Sequence, residues 1–202
     1  MSITRKAISL MASGALAVAL VGSAIAGDGR FSISSATFKN DGPLPTSMAF
    51  NDPSCTIDGK PGGNTSPELS WRNAPEGVRS FVVIAYDITA SFTHWGMYNI
   101  PVSTTSLPAG AGTADSTYGQ QVPNDFPEKG YDGPCPPAGI PPVAHHYLFT
   151  VYALDTRLVL PRFHNFPQNP DTLFHALADA GARGHVLGSA TIGGFYSATP
   201  VP

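Results

Sequence analysis

The chain has 202 residues, 42% of them hydrophobic, with 11 Lys and Arg against 14 Asp and Glu, a net charge of −3. Apolar content on this scale supports a well-cored domain, and so few cations exclude general electrostatic binding of nucleic acid or an anionic membrane surface. Any anion the protein holds must therefore sit in a local pocket.

Residues 1–26, MSITRKAISLMASGALAVALVGSAIA, follow the pattern of a secretory signal peptide. Arg5 and Lys6 make a positive start, Ala7 to Gly22 is an uncharged apolar run, and Ala24-Ile25-Ala26 is a small-x-small cleavage site. The run is too short, and too interrupted by Ser and Gly, for a membrane span, so no stable membrane insertion is expected. Removal would leave one domain of 176 residues, 27–202, in which Lys and Arg fall from 11 to 9 against 14 acids, a net charge of −5. The expected location is the periplasm or the cell exterior. In that oxidising setting Cys55 and Cys135, the only cysteines, are expected to pair, closing a loop of about 80 residues.

In chain order, Phe31 to Phe38 alternates weakly and predicts a first strand. Asn40 to Pro67, crowded with Gly, Pro, Asn and Asp, predicts turns and irregular loop. A short strand follows at Leu69 to Trp71. The stretch Ser80 to Pro101, SFVVIAYDITASFTHWGMYNIP, predicts two buried strands, with Asp87 and His94 in a short polar crossing between them. Val102 to Pro142 is rich in Gly and Pro and predicts a long loop; a loop of that length in a compact domain usually carries function. His146 to Leu154 predicts the next strand. From Pro170 the pattern turns helical, with Asp171 as the expected cap and an end near Gly181 or Gly184. His185 to Tyr196 closes the chain as a strand.

Phosphate-binding loops, dinucleotide fingerprints, the G-x-S-x-G elbow and H-E-x-x-H are all absent, and no Cys or His spacing matches a structural zinc site. Polar residues gather instead on three separated stretches. These are Asp87 with His94, the loop Tyr131-Asp132-Gly133-Pro134-Cys135-Pro136-Pro137, and His145-His146-Tyr147. Taken singly, Asp87 reads as a turn former and His94 as a half-buried residue at a strand end.

GGNTSPELSW from Gly62, NAPEG from Asn73, SFVVIAYD up to Asp87, HWGMYNIP from His94, YDGPCPP from Tyr131 and HHYLFTVYAL from His145 occur in this order. Together they resemble the phosphatidylethanolamine-binding protein family, in particular its bacterial Raf-kinase-inhibitor-like branch. The likeness spans roughly Phe31 to Tyr196. It implies a mainly β, β-rich α+β fold, an antiparallel β-sandwich with peripheral helices. It also implies a small pocket for phosphate-like head groups, carried over onto Asp87, His94, Gly133, Pro134, Cys135, Pro136, His145 and Tyr147, with no cofactor. The chain departs from the family pattern in two places. The usual D-P-D-A-P is Asp87-Ile88-Thr89-Ala90-Ser91, without the second carboxylate or the prolines, and His146 stands where an Arg is frequent.

These side chains suit anion binding. Imidazole and phenol groups donate to phosphate oxygens, and an imidazolium donates the stronger, charge-assisted bond. Asp87 is expected to orient one ring and favour its protonated form, and the prolines to hold the pocket mouth rigid. Alternation sends one of His145 and His146 inward, and joint use of His145 and Tyr147 is expected to require a bulge where the strand begins. His164, His175 and His185 read as surface or structural residues, and Asn64-Thr65-Ser66 as a sequon without consequence in a bacterial setting.

Three functions follow. The favoured one is an exported protein that binds a small anionic or phosphoryl ligand without turnover, with a protein partner as a further expectation. A metal-assisted or acid–base hydrolase using Asp87, His94 and His145 is the second, although no nucleophile is evident. A protein-inhibitor module acting through its surface is the third.

Overall fold

A computed structural model describes residues 29–161 and 167–199. The expected leader and His164 lie outside the described residues. The strands are β1 (Ser32–Ser34), β2 (Gly42–Pro43), β3 (Leu69–Arg72), β4 (Ser80–Asp87), β5 (Phe92–Pro101), β6 (Ser106–Leu107), β7 (Gln120–Gln121), β8 (His145–Leu154) and β9 (Val186–Tyr196). Among the described residues one α-helix is present, α1 (Pro170–Ala182). Strands β1-β3-β6 make a small sheet, and β2-β9-β8-β4-β5-β7 a six-stranded one. This is the expected β-rich α+β architecture.

The run FVVIAY does not alternate because β4 is buried on both faces. Phe81, Val83 and Ala85 join the main core with Trp71, Met97, Phe149 and Val151. Val82 and Ile84, on the opposite face, join a second core with Val122, Leu173 and Leu177. Leu173, Ala176, Leu177 and Ala180 recur at helical spacing and form the buried stripe of α1. At about 1.5–3 kcal/mol for each large apolar side chain fully buried, the centre of the six-stranded sheet is the strongest part of the fold.

Several elements differ from expectation at their ends. The first strand shrinks to Ser32–Ser34. The helix cap is Asn169, not Asp171: its side chain accepts from the Thr172 amide at 3.0 Å, while the Thr172 hydroxyl accepts from the Asn169 amide at 3.1 Å. Pro170 then fits the first helical position, where no amide partner is needed. Asp171 lies in the first turn, beside the positive end of the helix. The segment from Val102 to Pro142 is irregular apart from β6 and β7, and buried Leu107, Ala111, Val122 and Tyr131 pin it to the cores.

Strand β5 carries the feature that most affects the site. Ala85 pairs with Trp95, yet Tyr86 pairs with Thr93, so His94 is one residue too many for the ladder. His94 is therefore a bulge residue inside the strand, rather than part of the crossing loop. A second irregularity lies between the Val83–Met97 and Phe81–Ile100 pairs, where Asn99 adopts a φ of +56°.

Candidate functional site

Asp87 ends β4 and is paired in register with Tyr147 on β8. The residue is almost fully buried, 2% exposed. One carboxylate oxygen caps the turn at residues 88–91, accepting from the Thr89 and Ala90 amides at 2.8 and 3.1 Å. That turn tolerates Ile88-Thr89-Ala90-Ser91 in place of prolines because Asp87 and β8 hold it. The Ile88 amide donates to the His146 carbonyl, and the Thr89 hydroxyl accepts from the His146 amide. The turn former and the site residue are thus one and the same carboxylate.

The other oxygen of Asp87 accepts from His145 Nδ1 at 2.6 Å. His145 and Tyr147 share the inner face of β8, where the pairing of His145 with Tyr196, His146 with Phe195 and Tyr147 with Gly194 runs without interruption. No bulge is needed there, contrary to expectation, because residues two apart in a strand lie on the same side. His146 faces the other way and stacks on Phe195 at 4.4 Å.

The bulge is at His94 instead. Adjacent residues of a bulge can present to the same face, so His94 reaches the inner face along with Phe92 and Trp95. There its Nδ1 donates to the Asp132 carbonyl at 2.7 Å, while the Asp132 amide donates to the His94 carbonyl at 3.0 Å. A carbonyl only accepts, so Nδ1 carries the proton. The ring packs among Phe92, Phe126 and Tyr147, with centroids 4.9, 6.0 and 5.3 Å away. Burial pushes the His94 pKa below its ordinary value, against the opposing pull of the Asp132 carbonyl and of the charges on Asp87, Asp132 and Asp125. Burial and the neighbouring Asp87 charge push the Tyr147 phenol well up, so it stays protonated.

The segment Gly133-Pro134-Cys135-Pro136 is placed by the expected disulfide and by contacts that sequence reading missed. The Asp132 carboxylate accepts from the Asn64 and Asn124 amide groups at 2.9 and 2.8 Å, and Asn64 also accepts from the Gly133 amide at 2.7 Å. Gly133 lies so close to the 48–50 backbone that an added Cβ would fall 1.8 Å from the Met48 carbonyl oxygen. The Phe50 amide donates to the Pro134 carbonyl at 3.0 Å, and Cys135 is disulfide-bonded to Cys55, Cα atoms 4.5 Å apart. Gly133, Pro134 and Pro136 are buried and Pro137 is exposed. Asn64 thus has a structural role beyond its place in a sequon, and His185, which has no evident partner in sequence, bonds Asp155 at 2.9 Å.

The structure therefore brings Asp87, His94, His145 and Tyr147 to one end of the inner face, with the 132–136 segment clamped against His94. Each histidine uses Nδ1 inside the chain, which leaves Nε2 as the ring nitrogen for a ligand. Four cavities of about 320 to 570 Å³ are lined by residues other than Asp87, His94, His145 and Tyr147, and one of the four is bordered by Asn64 and Asp132. Among the described residues no group of three or more His, Cys, Asp and Glu is arranged to hold a metal ion.

Comparison with known proteins decides the family. Residues 34–197 match the family described as phosphatidylethanolamine-binding protein. The chain belongs to the phosphatidylethanolamine-binding protein family. This family member is 41% identical to the Escherichia coli UPF0098 protein YbcL over 137 residues, 64% of this chain and 71% of that protein. It is 33% identical over 135 residues to the putative lipoprotein LppC of Mycobacterium tuberculosis, 64% of this chain and 58% of LppC. The crystal structure of E. coli YbcL, described as a new member of the mammalian PEBP family, superposes with a TM-score of 0.68 at 35% identity, covering 83% of this chain and 98% of that one. That of CT736 from Chlamydia trachomatis, described as a putative phosphatidylethanolamine-binding protein homolog, gives 0.62 at 25% identity, covering 84% and 98%.

Proposed function

We propose that this family member is an exported binding protein whose Asp87, His94, His145 and Tyr147 form a pocket for a small phosphoryl or other anionic head group, without turnover. The observation that carries the reading is the 2.6 Å bond from His145 Nδ1 to a buried Asp87 carboxylate. An imidazolium held this way presents Nε2–H to a ligand as a preoriented, charge-assisted donor. The buried Tyr147 and the aromatic wall of Phe92 and Phe126 lower the local dielectric, which strengthens any bond made there. A hydrolase reading lacks a nucleophile among these residues.

Export is supported by the leader pattern of residues 1–26, by the Cys55–Cys135 disulfide and by the likeness to a putative lipoprotein. No helix among the described residues is long and apolar enough to cross a membrane. A protein partner outside the cytosol is part of the proposal.

The test is calorimetric titration of the metal-analysed protein with phosphorylethanolamine and inorganic phosphate at pH 6 and pH 8. Saturable binding that is tighter at pH 6 and lost in His145→Ala supports the pocket. Absence of binding at both pH values removes it.

A further inference from the structure

A cavity of about 570 Å³ lies outside the Asp87–His145 site, between the extended segment 156–161 and the C-terminal half of α1. Both walls are fixed by the fold. The Asn99 side chain donates to the Leu158 carbonyl at 3.0 Å and accepts from the Leu158 amide at 2.8 Å. The residue after β8 is tied to the residue before β9: the Asp155 amide donates to the His185 carbonyl at 3.1 Å, and His185 Nδ1 to the Asp155 carboxylate at 2.9 Å. The His185 amide holds the helix end as well, donating to the Ala180 carbonyl at 2.8 Å.

Floor and rim of this cavity differ in chemistry. Leu158, Leu160, Ala176 and Ala180, all members of the second core, give it an apolar lining. Arg157 and Arg183, one from each wall, are exposed. Among the described residues Arg157 has no ion pair, and Arg183 meets Asp179 only at 3.9 Å, a contact of little strength between side chains 72% and 76% exposed. Asp179 is the one carboxylate among the described lining residues, so two guanidiniums leave a single permanent positive charge there. Asp155, beside the lining, is engaged by His185.

From this pairing of an apolar floor with a net cationic rim, we propose that the cavity is a second ligand site, for a monocarboxylate with an apolar body such as a medium-chain fatty acid. The carboxylate pairs with Arg157 and Arg183, whose planar guanidiniums match its two oxygens. The apolar body covers the Leu158, Leu160, Ala176 and Ala180 surface and takes it out of water. A concave site of this size, apolar with a few polar groups that fix orientation, has the make-up of a small-molecule pocket. It is independent of the anion pocket. His145 opens β8 and Thr156 lies beyond its end, so the ten residues of β8 hold the two sites about 30 Å apart, at ~3.3 Å per residue.

Calorimetric titration of the protein with octanoate, acetate and octanol separates the two contributions. Octanoate is expected to bind saturably, about tenfold or more tightly than acetate, which lacks the apolar body, and about threefold or more tightly than octanol, which lacks the charge. Arg157→Gln and Arg183→Gln, both at exposed positions, are each expected to weaken octanoate about threefold with an unchanged thermal melt. Saturating phosphorylethanolamine is expected to leave octanoate affinity as it was. In imidazole ¹H–¹⁵N spectra octanoate should shift His175 and His185, which line the cavity, and not His94 or His145. Octanoate binding no tighter than acetate, full affinity in both arginine variants, or shifts at His94 and His145 in place of His175 and His185 overturns the proposal. Displacement of octanoate by phosphorylethanolamine overturns it too, by placing the carboxylate in the Asp87 pocket.

Discussion

Replacing Asp87 with Asn changes its contacts with the His145 ring and the Tyr147 phenol and leaves the local turn its bonds. The amide oxygen can still cap the Thr89 and Ala90 amides, which lie 2.8 and 3.1 Å from the present carboxylate. The group facing His145 becomes an amide donor where the carboxylate now accepts at 2.6 Å. The ring must then invert its tautomer, accepting at Nδ1 and carrying its proton on Nε2, and it loses the negative charge that stabilises an imidazolium. A hydrogen bond to a charged group contributes about 1.5–3 kcal/mol and a neutral one about 0.5–1.5, so anion affinity at pH 6 should fall by about 1–1.5 kcal/mol, roughly 5- to 12-fold. Calorimetry with phosphorylethanolamine at pH 6 measures the effect, with a thermal melt as the control for folding. Affinity within twofold of wild type would refute the reasoning.

Other predictions test the surroundings of the site. Gly133→Ala should destabilise by about 1–3 kcal/mol or more, since its Cβ would lie 1.8 Å from the Met48 carbonyl oxygen and the backbone must move; an unchanged urea midpoint would contradict the close approach. Removing the Cys55–Cys135 disulfide, which spans 80 residues of sequence, should cost roughly 3–5 kcal/mol, read as the difference between melts with and without reductant. For His94, whose folded pKa is lowered by burial, the unfolded chain binds more protons below the ordinary value of about 6.5, so stability falls as pH drops through that region. Melts from pH 7.5 to 5.5 should therefore show a steeper loss for wild type than for His94→Gln, and parallel curves would count against a neutral, buried ring.

Much of the fold is legible in the sequence because its central strands are dense in β-branched and aromatic residues, and because Pro and Gly mark the loops. FVVIAY and HYLFTVYAL locate β4 and β8 without any tertiary information. Asp87, His94, His145 and Tyr147 are legible as chemistry on flanking stretches, and the family likeness groups them. Their exact setting is not. The bulge at His94 depends on counting residues against β4, which no local pattern encodes. Asn64 and Asn124 support Asp132 across 68 and 8 residues of sequence, so the clamp on His94 exists only after folding. Phe92 and Phe126 read as ordinary core or loop aromatics until the loop folds back over β5. At the helix, Asn169 and Asp171 are equally good caps by residue type, and Pro170 at the first helical position hands the cap to Asn169.

The central claim is that both histidines meet the same anion through Nε2. Imidazole ¹H–¹⁵N correlation spectra of ¹⁵N-labelled protein, recorded during a titration with phosphorylethanolamine at pH 6, test it most directly. The account predicts saturable shifts of Nε2 on His94 and His145 with one common dissociation constant, while Nδ1 of both rings stays protonated and His185 is unmoved. Saturable binding that leaves both rings unshifted, or that moves His185 instead, would contradict it.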